Sequence, residues 1–354
     1  MTTRCRYFLI SAAIAMTAAS SVHAGGLKKV GDIAIPGDPI TDIGIMVVNQ
    51  TSGLGYLADK TNKAVVVFDT KTDKYVGRIP GFIGRVKDGD ASGPNGVVMV
   101  NDDAELWVSD GDSTIKIIDT KTGNVVETIS TGGKLRANGM AYGDGIVIVA
   151  NSNDDPPFLS FVSTAPGRKI LGKVEMPQSG ENLERSGYHA PSGTFYTVIP
   201  VSKANDSKGL MAQTDPKSGK LVNLFEIGCH PHSLSIVSDT TIFMGCSSAH
   251  GASKKPGGDM AIFDIPSGKV EGILAGFGGN GGSAANLKLG HYYHSTTAGE
   301  LMVVDIKTKQ PLQKVPTSNG ARSLGVSVAN NRVYVATTAK DALCRGCISV
   351  FAAE

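Results

Sequence analysis

Along most of the chain, short runs of Val, Ile, Leu and Phe alternate with polar stretches rich in Gly, Asp, Asn, Ser and Thr. This pattern predicts many short strands joined by tight turns, because β-branched side chains suit a pleated surface and the turn residues tolerate reversal of the chain. Two stretches show it in nearly the same letters. Leu57-Ala58-Asp59 leads into Val65-Val66-Val67-Phe68-Asp69-Thr70-Lys71-Thr72, and Val108-Ser109-Asp110 leads into Ile115-Lys116-Ile117-Ile118-Asp119-Thr120-Lys121-Thr122-Gly123. Both read strand, polar loop, strand, Asp-Thr-Lys turn, strand. The strand-ending marker returns at Asp69, Asp119, Ser163, Asp215, Asp264, Asp305 and Phe351, at intervals of 41 to 52 residues. A four-stranded propeller blade takes about 40 to 50 residues, so the spacing predicts seven blades. The last copy ends at Phe351 with no fourth strand after it, while residues 29–35 resemble the outer strands at 75–79 and 125–129. Adding that N-terminal strand to the last blade would close the ring and remove an exposed edge. The expected architecture is all-β: a single seven-bladed β-propeller over residues 25–354, its ring closed by the N-terminal strand.

Leu-Ala-Asp followed by Val-Val-Val-Phe-Asp-Thr-Lys-Thr, and Trp-Val-Ser-Asp followed by Ile-Lys-Ile-Ile-Asp-Thr-Lys-Thr-Gly, resemble the YVTN-type repeats of seven-bladed propellers. The resemblance runs over nearly all of residues 25–354, with blades three, four and six degenerate. It implies the fold. It also implies a set of exported bacterial relatives: binding proteins, metal-dependent lyases and hydrolases, and heavy subunits of periplasmic dehydrogenases. Fold does not choose among them.

The first 24 residues break the pattern. Arg4 and Arg6 precede an apolar stretch from Tyr7 to Ala19, and Val22-His23-Ala24 forms a small-x-small site, so residues 1–24 are expected to be a secretory signal cleaved after Ala24. The stretch is too short for a membrane anchor, which needs about 20 apolar residues. Periplasmic localisation without a transmembrane segment is the expectation. Its removal takes two basic residues and no acid, leaving 32 Lys and Arg against 32 Asp and Glu. A zero balance gives no sign of a nucleic-acid partner and leaves room only for local patches. The chain's 44 glycines fit many turns, and the absence of a G-X-Y period excludes collagen.

In a propeller, the segments leading into strand one and those between strands two and three open on one face. The lead-ins align as Thr41-Asp42-Ile43-Gly44, Gly93-Pro94-Asn95-Gly96, Arg136-Ala137-Asn138-Gly139, Glu184-Arg185-Ser186-Gly187, His230-Pro231-His232-Ser233 and Arg322-Ser323-Leu324-Gly325, with blade six ambiguous near 282–285. The first column places Arg136, Glu184, His230 and Arg322 at the channel mouth, and the third adds Asn95, Asn138 and His232. Cations, a carboxylate and imidazoles in a confined concave space suit a small anion or a metal. In that reading the arginines neutralise the ligand and the asparagines orient it.

Five of the six histidines beyond residue 24 fall in blades five and six: His230, His232, His250, His291 and His294. Neutral imidazole is the commonest metal ligand, which makes His230, Glu184 and His294 the candidate ligands of a divalent metal. Regular strand geometry would turn His291 and His294 to opposite faces. Four cysteines remain in an oxidising compartment. Cys229 and Cys246 bracket an antiparallel pair in blade five, and Cys344-Arg345-Gly346-Cys347 forms a C-x-x-C in blade seven; two structural disulfides are expected. The C-x-x-C lacks the following His of a haem attachment site and the βαβ context of a thioredoxin motif.

Asp88-Gly89-Asp90-Ala91-Ser92-Gly93 opens like a calcium loop, but Met99 stands where the bidentate carboxylate belongs. Residues 276–282 are rich in glycine without the Lys and Ser/Thr of a P-loop, and read as a flexible lead-in to blade six. Spacing supports no Ser-His-Asp triad. The leading expectation is a periplasmic binding or accessory propeller taking a small anionic or metal-bound ligand, or a periplasmic protein partner. Two further classes stand beside it. One is a metal-dependent lyase or hydrolase acting on lactones or cyclic esters, with His230 or Glu184 moving a proton. The other is a noncatalytic oxidoreductase subunit, in which Trp107, the lone tryptophan, would have to supply any stacking floor for a quinone.

Overall fold

A computed structural model describes residues 26–87, 89–247, 258–340, 344 and 346–353. The expected signal segment, Asp88 and His250 lie outside them. The described residues form 28 strands in seven four-stranded antiparallel sheets. Blade one shows the unit: β2 (Ile43–Val48), β3 (Leu54–Asp59), β4 (Ala64–Asp69) and β5 (Lys74–Pro80), each paired with its neighbour in the chain. The innermost strands of the other blades are β6 (Val97–Val100), β10 (Ala137–Gly143), β14 (Ser186–His189), β18 (Ser235–Ser238), β22 (Ser283–Asn286) and β26 (Ser323–Ser327). Blade six therefore begins where its sequence was ambiguous.

The predicted closure is present. β1 (Leu27–Ala34) pairs antiparallel with β28 (Cys347–Ala353), completing the sheet β1-β28-β27-β26 with β27 (Arg332–Ala336). Its register runs from Leu27 opposite Ala353 to Ala34 opposite Cys347, with a bulge between Lys29 and Gly31.

Strands two and three of each blade are buried on both faces, and the core lies between blades. Val66 and Phe68 of blade one pack with Tyr334, Ile348 and Val350 of blade seven. Phe161 and Phe195 join blades three and four. The outer strands are half exposed, as in β5 with its alternation around Tyr75 and Arg78. That distribution explains the sequence pattern: strands two and three carry the apolar runs because both of their faces meet a neighbour.

The repeated Asp marker is a turn device. Its carboxylate accepts from a backbone N–H two or three residues on: Lys71 N to Asp69 Oδ1 at 2.7 Å, Lys217 N to Asp215 Oδ1 at 2.9 Å, Thr308 N to Asp305 Oδ1 at 2.6 Å. These bonds hold the carboxyls of Asp119, Asp215, Asp264 and Asp305 below the usual carboxylate range. The turn then needs a left-handed residue four places after the Asp, which is Gly123, Gly219 or Gly268 in three blades.

Candidate functional site

The backbone fixes which residues of different blades are equivalent at the channel mouth. Ser109 N donates to the carbonyl of Gly96, Val198 N to that of Arg185 and Ser295 N to that of Gly282. In the same register Asn95 N donates to Ser109 O, Glu184 N to Val198 O and His232 N to Gly245 O. Arg322 precedes Ser323, which pairs with Ala336 at the end of β27. One column therefore holds Asn95, Asn138, Glu184, His232 and Arg322, and the next holds Gly44, Gly96, Gly139, Arg185, Ser233, Gly282 and Ser323. The lead-ins of blades four and seven are thus two residues out of step with the alignment read from sequence.

The second column is small for a reason. A Cβ on Gly44 would lie 2.2 Å from the carbonyl oxygen of Asn95, one on Gly96 2.4 Å from that of Asn138, and one on Gly139 2.3 Å from that of Glu184. Each blade presses its backbone onto the next at this level, and a side chain has no room. Blade four alone carries a large residue there. Arg185 sends its guanidinium into the channel.

Around it lies a cavity of about 490 Å³, lined by Asp42, Lys60, Arg85, Lys87, Ser92, Arg136, Asn182, Glu184, Arg185, His232, Asn280 and Arg322 among others. Six cationic side chains face two carboxylates. Lys60 is 5% exposed and sits 3.5 Å from Asp42. Burial pulls its amine down to about 8, opposed by Asp42 and aided by Arg322 and Arg136. Enclosure lowers Arg185 to about 10, so it stays cationic at neutral pH; what surface it keeps faces the channel. Glu184 Oε1 lies 3.9 Å from His232 Nδ1, and burial holds His232 below its ordinary value despite that carboxylate. Arg136 reaches Asn182 Oδ1 at 3.4 Å, and its buried Nε has no partner. Among the described residues neither Arg185 nor Arg322 makes a hydrogen bond or salt bridge through its guanidinium.

Four of the expected mouth residues, Arg136, Glu184, His232 and Arg322, thus converge. The asparagines do not join them. Asn95 is buried and donates to the Ser92 and Ala137 carbonyls, and Asn138 Nδ2 donates to Leu183 O at 3.0 Å; each ties its own lead-in to the following blade. His230 turns away, its Nε2 2.7 Å from Asp206 O. His294 is fully buried in β23 (His291–Ser295), with Nδ1 3.3 Å from Ser233 Oγ and Nε2 3.2 Å from Gly279 O. Burial drives it down to about 4, so it is neutral. His230, Glu184 and His294 are therefore not drawn into a metal-ligating set. Among the described residues the set of His, Cys, Asp or Glu with three ligand atoms in reach is Asp32 with Cys344 and Cys347, whose sulfurs face each other as a disulfide.

Both cysteine pairings match expectation: Cys229 with Cys246 at a Cα separation of 5.9 Å, and Cys344 with Cys347 at 5.6 Å. The first braces the His230-Pro231-His232 segment, where Ser247 N also donates to His230 O. The glycines of 276–282 differ from expectation. A Cβ on Gly278 would lie 1.8 Å from Asp259 O and one on Gly281 1.6 Å from Ser295 O, so this lead-in is packed tightly against backbone. Trp107 is fully buried between blades and donates to Glu105, away from the channel. Arg185, Lys60 and Arg85 were missed in the sequence reading. The signal for Arg185 was present, an arginine in a column of glycines and serines, once blade four is brought into register.

No protein-family model and no curated protein sequence matches the chain. Its shape does have matches among solved structures. A chain of the mitotic checkpoint complex crystal structure aligns with a TM-score of 0.71 at 10% identity, covering 99% of each chain. The RRP9 WD40 repeats align at 0.71 and 11%, covering 94% of this chain and 99% of that one. U3-55K aligns at 0.69 and 10%, covering 92% and 98%. At such identities the likeness extends to the seven-bladed propeller fold.

Proposed function

We propose that this is an exported propeller of the YVTN-repeat type, cleaved after Ala24, that binds a small anion at the mouth of its central channel. The observation that carries the reading is the cation excess around one cavity at the channel mouth, in a chain whose basic and acidic residues nearly balance overall. Lys60 of blade one, Arg136, Arg185 and Arg322 at the lead-ins of blades three, four and seven, and Arg85 between blades one and two supply the cations, and two of the guanidiniums have no hydrogen-bond or salt-bridge partner of their own among the described residues. Like charges held together with too few counter-charges cost free energy, and a bound carboxylate or phosphate relieves it through charge-assisted hydrogen bonds. Glu184 and Asp42 limit the excess and orient His232 and Lys60. The lyase or hydrolase alternative draws no support from the histidines, because His230 and His294 are engaged elsewhere. A protein partner inserting an acidic side chain into the same mouth is the second reading; it is favoured by the like-shaped chain of the mitotic checkpoint complex, which belongs to an assembly.

Calorimetric titration with inorganic phosphate and with citrate at low salt tests the site. Arg322→Gln should weaken binding about ten- to hundredfold, the loss of one or two charge-assisted hydrogen bonds. Affinity should also fall as pH rises through about 8, where Lys60 loses its proton, and Lys60→Met should flatten that step. No heat with either anion, or equal affinity in Arg322→Gln, would remove the mouth as an anion site.

A further inference from the structure

A second cavity of about 450 Å³ lies against the inner strands of blades six, seven and one. Its wall is mainly aliphatic, with Ile45 and Val47 of β2, Ala285 of β22 and Leu324 and Val326 of β26, while Gln50 and Lys288 also border it. These strands line the central channel, so the cavity continues along the axis from the mouth. Arg185 lines both spaces. It is the side chain that stands where the other blades have glycine or serine, and it divides a cationic upper compartment from an apolar lower one.

We propose that the natural ligand is an amphipathic monoanion, a carboxylate or phosphate head carrying an unbranched alkyl chain, with the head on Arg185 and the chain in the lower cavity. This rests on the anion-binding reading of the mouth and adds the class of ligand. A short, fully polar anion leaves the aliphatic wall in contact with water, while a neutral apolar molecule leaves the Arg185 guanidinium without a hydrogen-bonded anion, its one opposing charge being the nearby Glu184. A molecule joining both chemistries satisfies the two compartments at once. The volume is in the range of small-molecule sites, and the guanidinium at the junction fixes which end of the ligand points upward.

The experiment is a chain-length series of linear carboxylates from butanoate to dodecanoate, titrated below their micellar concentrations, beside citrate and neutral 1-decanol. Each methylene buried should raise affinity about three- to fourfold, from about 0.8 kcal/mol per CH₂. Affinity should climb along the series until the cavity is full. Arg185→Gly, which installs the glycine of blade three, should lower decanoate affinity at least tenfold and leave 1-decanol unchanged. Ala285→Leu should shorten the chain length at which the climb stops without altering citrate binding. If citrate binds but affinity is flat along the series, the lower cavity is not a tail site and the mouth reading survives. Equal decanoate affinity in Arg185→Gly overturns the proposed seating, and binding by neither citrate nor carboxylates overturns both readings.

Discussion

At His294 a histidine stands where other blades bury Val108, Thr197, Met244 and Val335. Both its ring nitrogens meet neutral partners, and Gly245 makes room for it, since a Cβ there would lie 2.2 Å from the ring. The histidine titrates near 6.5 when unfolded and near 4 when folded, so the unfolded chain takes up the proton first as pH falls. Stability from this group is complete above about 6.5 and is lost as pH drops towards 4, by about 3 kcal/mol in total. Urea denaturation at pH 7 and pH 4.5 should show a steeper acid loss in the native chain than in His294→Gln; parallel losses would refute the assignment. The sequence marked His294 as a candidate metal ligand, but the strand register turns its ring into the packing between blades, where Ser233 and the Gly279 carbonyl meet it. Arg136, Glu184, His232 and Arg322 were legible because charge at a strand lead-in stands out. Lys60 was not, as it sits at a strand-two end that the repeat makes look structural.

Among the elements, the inner strands and the segments leading into them decide how closely blades approach. Gly139→Ala should cost at least 2 kcal/mol, because its new methyl meets the backbone of Glu184, which no rotamer can move aside. Gly31→Ala in β1 is the control, having open space around it, and should be near neutral. Thermal melts of the two variants give the comparison. Most strands were legible from apolar runs ended by an Asp turn. The inner strand of blade six, Ser283-Ala284-Ala285-Asn286, was not: four small or polar residues carry no periodicity, and the neighbouring strands alone determine its place. Blade four slipped for a related reason. Its lead-in carries Glu184 and Arg185 where blades two and three have asparagine and glycine, and Gly187, two residues on, offers a false match, so backbone hydrogen bonds alone set its register.

The whole molecule is a ring with one non-consecutive joint. Its number of blades and the identity of the closing strand were legible, because a missing outer strand at one end matched a surplus strand at the other. The channel's division into a cationic and an aliphatic compartment was not, since it depends on side chains from five blades meeting across the axis. The β1–β28 joint also makes the ring indifferent to where the chain is cut. Leu27 and Ala353 are paired residues, about 5 Å apart at Cα. A circular permutant joining them through a few glycines and serines, with new ends between Lys121 and Thr122 in an exposed turn, should fold with a melting temperature within a few degrees of the parent. Failure to fold would mean that the seam must form last.

That seam has a mechanical side as well. The two strands run antiparallel with both chain ends at the Leu27 side, so tension between the ends loads a single rung of the ladder at a time. A blade interior, pulled across several rungs in parallel, would share the load. Under force the ring should peel open at this joint while all the other blades are still intact, behaving as a clasp that yields before the band.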